Sequence, residues 1–483
     1  MKKEAFNPYL PLSVYIPDGE PHVFGDRVYV FGSHDKENGD TFCALDYEFW
    51  SAPADDLSDW SSKGINYRAS QDPLYSEKMK YMYAPDCVCG SDDRYYLYYC
   101  LSGCKGQGGY SNPISVAVCD TPDGKYEYYG YVRNPDGTPL MRYACFDPAV
   151  INDGGTVRLY YGTTMPWMEH IRPRWLKNRL LAKGLDRTPE EVSLGVLGSY
   201  HVTLAEDMLT VTSAPKRIDN TISGEEYKNH AFFEGSSIRK IGERYYFIYS
   251  SANNHELCYA ASLMPDGGFV YGGTIISNGD IGYKGRAPKD RVNHTGTNHG
   301  SIEKIGDDYY VFHHRLTHNS DYSRQGCAER IEILPDGSIP QVEITSCGLN
   351  GEPLKGGAYP AGICCGLTNG RMTHGSNSNK KLREPCFTSS GDERYITGIT
   401  DGTQIIYKYF SLGGRCRLAL TTRGGDGAFE TNLGITLPVK AYPGWTKSVS
   451  EFTLKEGVYP LILTYRGRGE AELKEFELRC IDK

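Results

Sequence analysis

One pattern recurs along this chain and restricts the folds open to it. A short apolar run meets a tight polar turn, and a strand of alternating aromatic and apolar residues follows. It stands at Phe24-Gly25-Asp26-Arg27-Val28-Tyr29-Val30-Phe31 and at Gly90-Ser91-Asp92-Asp93-Arg94-Tyr95-Tyr96-Leu97-Tyr98-Tyr99. It returns at Asn152-Asp153-Gly154-Gly155-Thr156-Val157-Arg158-Leu159-Tyr160-Tyr161, within His230 to Ser250 around Gly242-Glu243, and at Lys304-Ile305-Gly306-Asp307-Asp308-Tyr309-Tyr310-Val311. Each copy reads as a β-hairpin. The copies lie roughly 60 to 90 residues apart, too far for a lone hairpin and suited to one four-stranded propeller blade with insertions. Five copies predict five blades, closed into a ring that leaves only short strand edges.

Composition agrees with an all-β chain. Gly 55 and Tyr 38 are high counts among 483 residues, and charged residues make up only 23%. Such a chain is rich in turns and aromatic strands. The net charge of -8 argues against a nucleic-acid partner, which wants a basic face. It suits a neutral substrate such as a sugar. No apolar run is long enough to span a membrane, and Met1-Lys2-Lys3-Glu4-Ala5-Phe6 lacks the apolar core of a signal peptide. The expectation is a cytoplasmic protein, or a secreted one whose signal was removed. The 15 cysteines form no regular framework and read as free, buried thiols. Cys87, Cys89, Cys100 and Cys104 match no common zinc spacing.

Three acids stand at strand starts. Asp18 precedes the first hairpin in Pro17-Asp18-Gly19-Glu20-Pro21, which also reads as an Asx-turn. Asp147 lies in Cys145-Phe146-Asp147-Pro148-Ala149-Val150 and Glu234 in Phe232-Phe233-Glu234-Gly235. A carboxyl beside apolar rings is poorly solvated, so its pKa rises toward the range of a general acid. In a propeller the inner strand starts converge on one axis, which would bring the three acids together. The residues around them are candidate sugar contacts: His34, Asp35, Tyr83, Phe146, Phe233 and the cation Arg315. His299 in Thr297-Asn298-His299-Gly300 faces either the channel or a hydrogen-bonded core. A helix is predicted over 173–184, with Pro173 at its start and Gly184 at its end, as a solvated face or a wall of the cleft. After about residue 350 short strands and glycine-rich turns predict a second domain, a β-sandwich of jelly-roll type. The expected division is 1–345 and 346–483.

These motifs resemble glycoside hydrolase family 43. The likeness covers residues 1 to about 340 and rests on Asn7-Pro8-Tyr9-Leu10-Pro11, Phe146-Asp147-Pro148-Ala149-Val150, Phe233-Glu234-Gly235-Ser236-Ser237-Ile238 and Asn298-His299-Gly300-Ser301. The resemblance implies a five-bladed propeller with three acids in a central pocket. Glu234 would be the general acid, and Asp147 would tune and orient it. Asp18 would be the general base; Glu20 competes for that role, since the family's usual Ala-Asp-Pro step is here Pro17-Asp18-Gly19-Glu20-Pro21. The shorter Asp18 leaves space for a water.

The implied chemistry is single-displacement hydrolysis with inversion, without an organic cofactor. Its partners would be arabinose- or xylose-containing oligo- or polysaccharides, with α-L-arabinofuranosyl release expected ahead of β-D-xylosyl release. The family often holds a calcium ion in the channel, and His299 is the matching position; other oxygens must complete such a site. A propeller that binds glycans without cleaving them is the alternative from another class. The tail resembles family 6 carbohydrate-binding modules in Gly398-Ile399-Thr400-Asp401-Gly402-Thr403, Tyr407-Lys408-Tyr409-Phe410 and Trp445. Trp445 would stack on a sugar or fill a core.

Overall fold

A computed structural model of the chain describes residues 4–103, 112–141, 143–165, 171–185, 188–193, 195–375 and 384–481. The chain is nearly all β. Four four-stranded sheets follow one another: β1 (Glu20–Phe24), β2 (Arg27–Phe31), β3 (Trp50–Pro53) and β4 (Ser61–Ser62); then β5 (Tyr81–Cys89), β6 (Tyr95–Ser102), β7 (Ser115–Cys119) and β8 (Glu127–Tyr131); then β9 (Ala149–Asp153), β10 (Thr156–Thr163), β11 (Gly198–Leu204) and β12 (Lys216–Arg217); then β13 (Phe232–Ile241), β14 (Arg244–Ser251), β15 (Leu257–Ser262) and β16 (Val270–Ile276). A three-stranded sheet of β17 (Ile302–Ile305), β18 (Asp308–Thr317) and β19 (Ser320–Ile331) completes the series. Within each sheet, neighbours in sequence pair antiparallel, and each recurring hairpin supplies the first two strands.

The sheets bury apolar side chains on both faces, so the core lies between them. Phe31 packs with Leu97 and Tyr99 between the first and second sheets, and Tyr98 packs with Val150 and Leu159 between the second and third. Tyr160 meets Ile238 and Phe247, and Ile248 meets Ile302 and Val311. The last layer joins Phe312 and Ala328 of the fifth sheet to Val28 and Val30 of the first. The sheets therefore close on themselves as a ring. Antiparallel pairing puts the start of each first strand and the loop between its second and third strands at one end of that ring. This end carries the acids.

It also carries an insertion between β10 and β11. There α1 (Arg174–Leu185) follows Pro173, as the proline signal predicts, with Gly184 inside its last turn; α2 (Pro189–Ser193) comes next. Leu181 and Ala182 pack against Val192 and Val196, while Trp175 is left exposed.

The C-terminal half is built from β20 (Gly357–Pro360), β21 (Gly366–Thr368), β22 (Cys386–Ser390), β23 (Glu393–Ile399), β24 (Gln404–Thr431), β25 (Thr436–Val439) and β26 (Thr446–Cys480). The two long strands bend so that Leu418 pairs with both Ser450 and Leu478. The result is a nearly closed, barrel-like sandwich around Leu420, Phe429, Tyr465 and Phe476. Trp445 is half-buried there, with the Arg423 guanidinium 4.2 Å from its centroid and Lys474 Nζ 5.5 Å.

Candidate active site

A left-handed residue lies within about five residues of the start of the first strand of every sheet in the ring: Asp18 (φ 56°), Ala84 (22°), Asp147 (43°), Gly235 (70°) and Thr297 (47°). Such backbone is uncommon outside glycine, and Asp tolerates it better than most. Non-glycine residues held there are strained and cluster at functional sites. Asp18, Asp147 and their surroundings are buried.

Asp18 meets a cation. Arg324 of β19 donates from Nη1 to Asp18 Oδ1 at 2.8 Å, and His314 Nδ1 lies 3.3 Å from the same oxygen. Burial works against the Asp18 charge, but Arg324 first, then His314 and His299, outweigh it and hold the carboxyl below the usual range. Arg324 is clamped from behind by Asp35, with Nε at 2.8 Å from Oδ2 and Nη2 at 3.0 Å from Oδ1. This two-pronged pairing fixes the guanidinium plane.

Glu234 has the opposite character. Burial, then the Asp18 charge, push it up to about 7, with Arg324 acting against them. Asp147 is also raised well above the carboxylate range, by burial and then by Glu234. Its Oδ2 accepts the Gly235 N–H at 2.9 Å, so Asp147 holds the peptide next to Glu234. Phe146 packs against Tyr83 at 5.6 Å, and Phe233 against His255 at 5.0 Å.

One step further along the channel, Glu20 is buried and tied down. Its Oε2 accepts from Arg239 Nη2 at 2.9 Å and from Ser237 Oγ at 3.1 Å. Burial, opposed by Arg239 and reinforced by Asp86, raises Glu20 to about 8. Glu20 Oε1 and His299 Nε2 face each other at 3.9 Å, and neither has a hydrogen-bond partner among the described residues. The Glu20 carboxylate oxygen can touch a calcium ion directly at ~2.3–2.6 Å, with waters filling the remaining positions and His299 Nε2 accepting from one of them. The residues present therefore fit a hydrated calcium ion.

The structure gathers Asp18, Asp147, Glu234, Asp35 and His299 at this end of the ring. Asp35 holds Arg324 there, and Tyr83, Phe146 and Phe233 pack beside strand starts. His34 Nδ1 is bound to the Asp46 carbonyl at 2.9 Å. Arg315 is directed elsewhere. Successive strand residues point to opposite faces; His314 faces Asp18, so Arg315 turns to Gln325 Oε1 at 2.7 Å, the Cys364 carbonyl at 3.0 Å and the Phe387 ring. The cation of the site is instead Arg324. Sequence reading missed it, and missed Arg239 and His314. The available signal was the need for a counter-charge, but choosing between Arg315 and Arg324 requires the register across β18 and β19, which slips between Leu316 and Thr317. Of the cysteines weighed as a zinc site, Cys87 and Cys100 are buried free thiols, and Cys104 lies outside the described residues.

Residues 14–339 match the family described as Glycosyl hydrolases family 43. The chain is 42% identical to a xylosidase/arabinosidase of Thermoclostridium stercorarium, over 100% of both chains. Two solved structures share the fold. One is a β-xylosidase/α-arabinofuranosidase from a compost microbial metagenome, in complex with xylotriose and in calcium-free form: TM-score 0.53 and 22% identity over 71% of this chain and 99% of that one. The other is an arabinoxylan arabinofuranohydrolase from Bacillus subtilis in complex with cellotetraose: TM-score 0.51 and 18% identity over 98% of this chain and 97% of that one.

Proposed function

The chain belongs to glycosyl hydrolases family 43, and we propose that it is an inverting exo-glycosidase releasing terminal α-L-arabinofuranosyl and β-D-xylosyl units from hemicellulose oligosaccharides. One observation carries the mechanism: two carboxyls at the same end of one channel are pushed in opposite directions, Asp18 down and Glu234 up. Environments that separate two carboxyls in this way assign the base and the acid.

Asp18, charged at neutral pH, takes a proton from a water that attacks the anomeric carbon. Glu234, protonated up to about 7, gives its proton to the departing oxygen on the other face of the sugar. Asp147 orients Glu234 through the Gly235 peptide, and the Asp18 charge opposes ionisation of Glu234. Arg324 keeps Asp18 ionised and has hydrogens to offer a sugar hydroxyl. Glu20, raised to about 8, holds its proton at neutral pH while Asp18 is ionised, which supports Asp18 over Glu20 as base.

The closed ring of sheets supports a five-bladed propeller. A calcium ion, when bound, would be held by Glu20 directly and by His299 through a water, and would supply fixed positive charge beneath the acids. The compost-metagenome relative, described in a calcium-free form, supports such a site.

The dual specificity follows the names of the relatives, which couple xylosidase and arabinosidase. Release of 4-nitrophenol from β-D-xyloside and α-L-arabinofuranoside tests it, and NMR of the fresh mixture reads the anomer. Inverted product appearing first is expected. Retained product first, or no release from either glycoside, would overturn the proposal.

A further inference from the structure

The end of the ring that carries Glu234 also carries a pair of stacked imidazoles. His255 lies in the loop between β14 and β15, and Ser250 pairs with Glu234 across the sheet, so this loop projects beyond the acid toward the outside. Asn254 and His255 both have left-handed backbone, φ 57° and 50°. The loop is held by Ser251 N–H on the Glu256 carbonyl at 2.9 Å and by Arg291 Nη2 on Asn254 Oδ1 at 3.2 Å. The His255 ring rests on Phe233, the residue before Glu234, at 5.0 Å.

His374, from the C-terminal half, stacks on His255 with centroids 5.2 Å apart. Its segment is docked on the ring by two backbone bonds, Thr295 N–H to the Thr373 carbonyl at 3.1 Å and Gly375 N–H to the Thr295 carbonyl at 2.7 Å. A hydrogen-bond chain runs from Arg291 through Thr295 and His374 to His255. Arg291 Nη1, which can only donate, reaches Thr295 Oγ1 at 2.8 Å. The Thr295 hydroxyl keeps its own proton to give to His374 Nδ1 at 3.0 Å. His374 carries its own proton on Nε2 and gives it to His255 Nδ1 at 3.3 Å. His255 is left with N–H at Nε2, and that atom has no protein hydrogen bond among the described residues. Burial holds both rings neutral, with His255 lowered to about 3 and His374 to about 4, so each ring carries a single N–H at working pH.

We propose that His255 binds the leaving-side sugar, its Nε2–H donating to a hydroxyl of the unit that departs, and that His374 sets the tautomer for this contact. The leaving side is assigned by position: Glu234 protonates the leaving oxygen, and His255 stands on the same sheet farther out, whereas Asp18 and His299 lie deeper. The C-terminal half thus takes part in substrate choice. This inference rests on the glycosidase reading above.

The test compares a substrate whose leaving group has sugar hydroxyls with one that has none. Wild type is first assayed on xylobiose and 4-nitrophenyl β-D-xyloside, and on an arabinofuranosyl xylo-oligosaccharide and 4-nitrophenyl α-L-arabinofuranoside. No turnover of any of the four overturns the parent reading, and this one with it. Given turnover, His255→Phe keeps the ring and loses the donor. Its kcat/KM on the oligosaccharide should fall about tenfold, while the nitrophenyl glycoside changes less than about twofold. His255→Gln, which offers an N–H, should recover most of the loss. His374→Ala should shift the same ratio in the same direction. A thermal melt identifies any variant that fails to fold, and the other two then decide. Equal loss on both substrates, or an unchanged ratio in the folded variants, overturns the proposal.

Discussion

Arg324 separates the carboxyls at the residue scale. Without it, burial would raise Asp18 along with Glu234 and Asp147, and none would be charged to take a proton from water. With it, the acid limb of the pH–rate profile should lie below the usual carboxylate range, and the alkaline limb should fall near pH 7, where Glu234 loses its proton. The limbs belong to a coupled set, so each reports the set rather than one group. Glu234→Gln should lower kcat by ~10²–10⁴-fold on oligosaccharides and much less on nitrophenyl glycosides, whose leaving group needs no proton. Near-wild-type turnover of an oligosaccharide by that variant would remove Glu234 from the acid's role. Asp18→Asn should lower the Glu234 pKa, read by carboxyl NMR, because the largest charge acting upward on Glu234 is that of Asp18. The acids were legible in the sequence because an aromatic or a turn residue flanks each at a strand start. Their counter-ion was not, because Arg324 lies some 300 residues beyond Asp18 and meets it only once the ring closes.

At the element scale, the strand starts hold the chemistry through unusual backbone. Gly235 combines φ +70° with a close approach: a Cβ there would lie 3.1 Å from His299 Cγ. Gly235→Ala should cost about 1–2 kcal/mol for the left-handed conformation and push the ring beneath the acids. The expected readout is a lower melting midpoint together with a lower kcat. The hairpins were readable from their alternation, because a strand with both faces buried still needs a turn at its end. The long β24 and β26 were read as several short strands, because each bends and changes partner without breaking its pairing.

A second element-scale device joins the two halves. His294 precedes β17 and contacts Glu384 Oε2 at 3.0 Å and Asp321 Oδ1 at 3.3 Å. Burial disfavours its charge, but these two carboxylates outweigh burial and raise it to about 9. A histidine whose folded pKa exceeds its unfolded value of about 6.5 stabilises fully below that value. The contribution, up to about 3 kcal/mol, is lost as pH rises from about 6.5 through 9. Melting midpoints should fall over that window, and His294→Ala should flatten the slope. A slope unchanged by the substitution would assign it to other groups.

For the whole molecule, the question is whether the ring stands without the sandwich. The sequence suggested a division into 1–345 and a β-sandwich over 346–483, from the change in composition. The packing argues that they fold together. Cys365 and Ile406 of the C-terminal half complete the apolar layer between the fourth and fifth sheets, and Phe6 and Leu12 of the N-terminal segment cover the sandwich core. Buried Asn7 binds the Ala328 carbonyl and Glu329 at 2.9 Å, while its N–H reaches the Ser346 carbonyl at 3.0 Å. Lys408 pairs with Glu343 at 2.8 Å and Asp280 at 3.1 Å, two carboxylates of the ring side. Cutting at 345 would expose the apolar layer and strip the Lys408 cation from the half-buried Glu343 and the buried Asp280, a costly state. Residues 1–345 alone should therefore lack a cooperative melting transition and bind a dye specific for exposed apolar surface, whereas the full chain melts in one step. A truncated chain that melts cooperatively and hydrolyses nitrophenyl glycosides at the full-length rate would show that the sandwich is an appendage, and would limit its part in the active site to the rim residue His374.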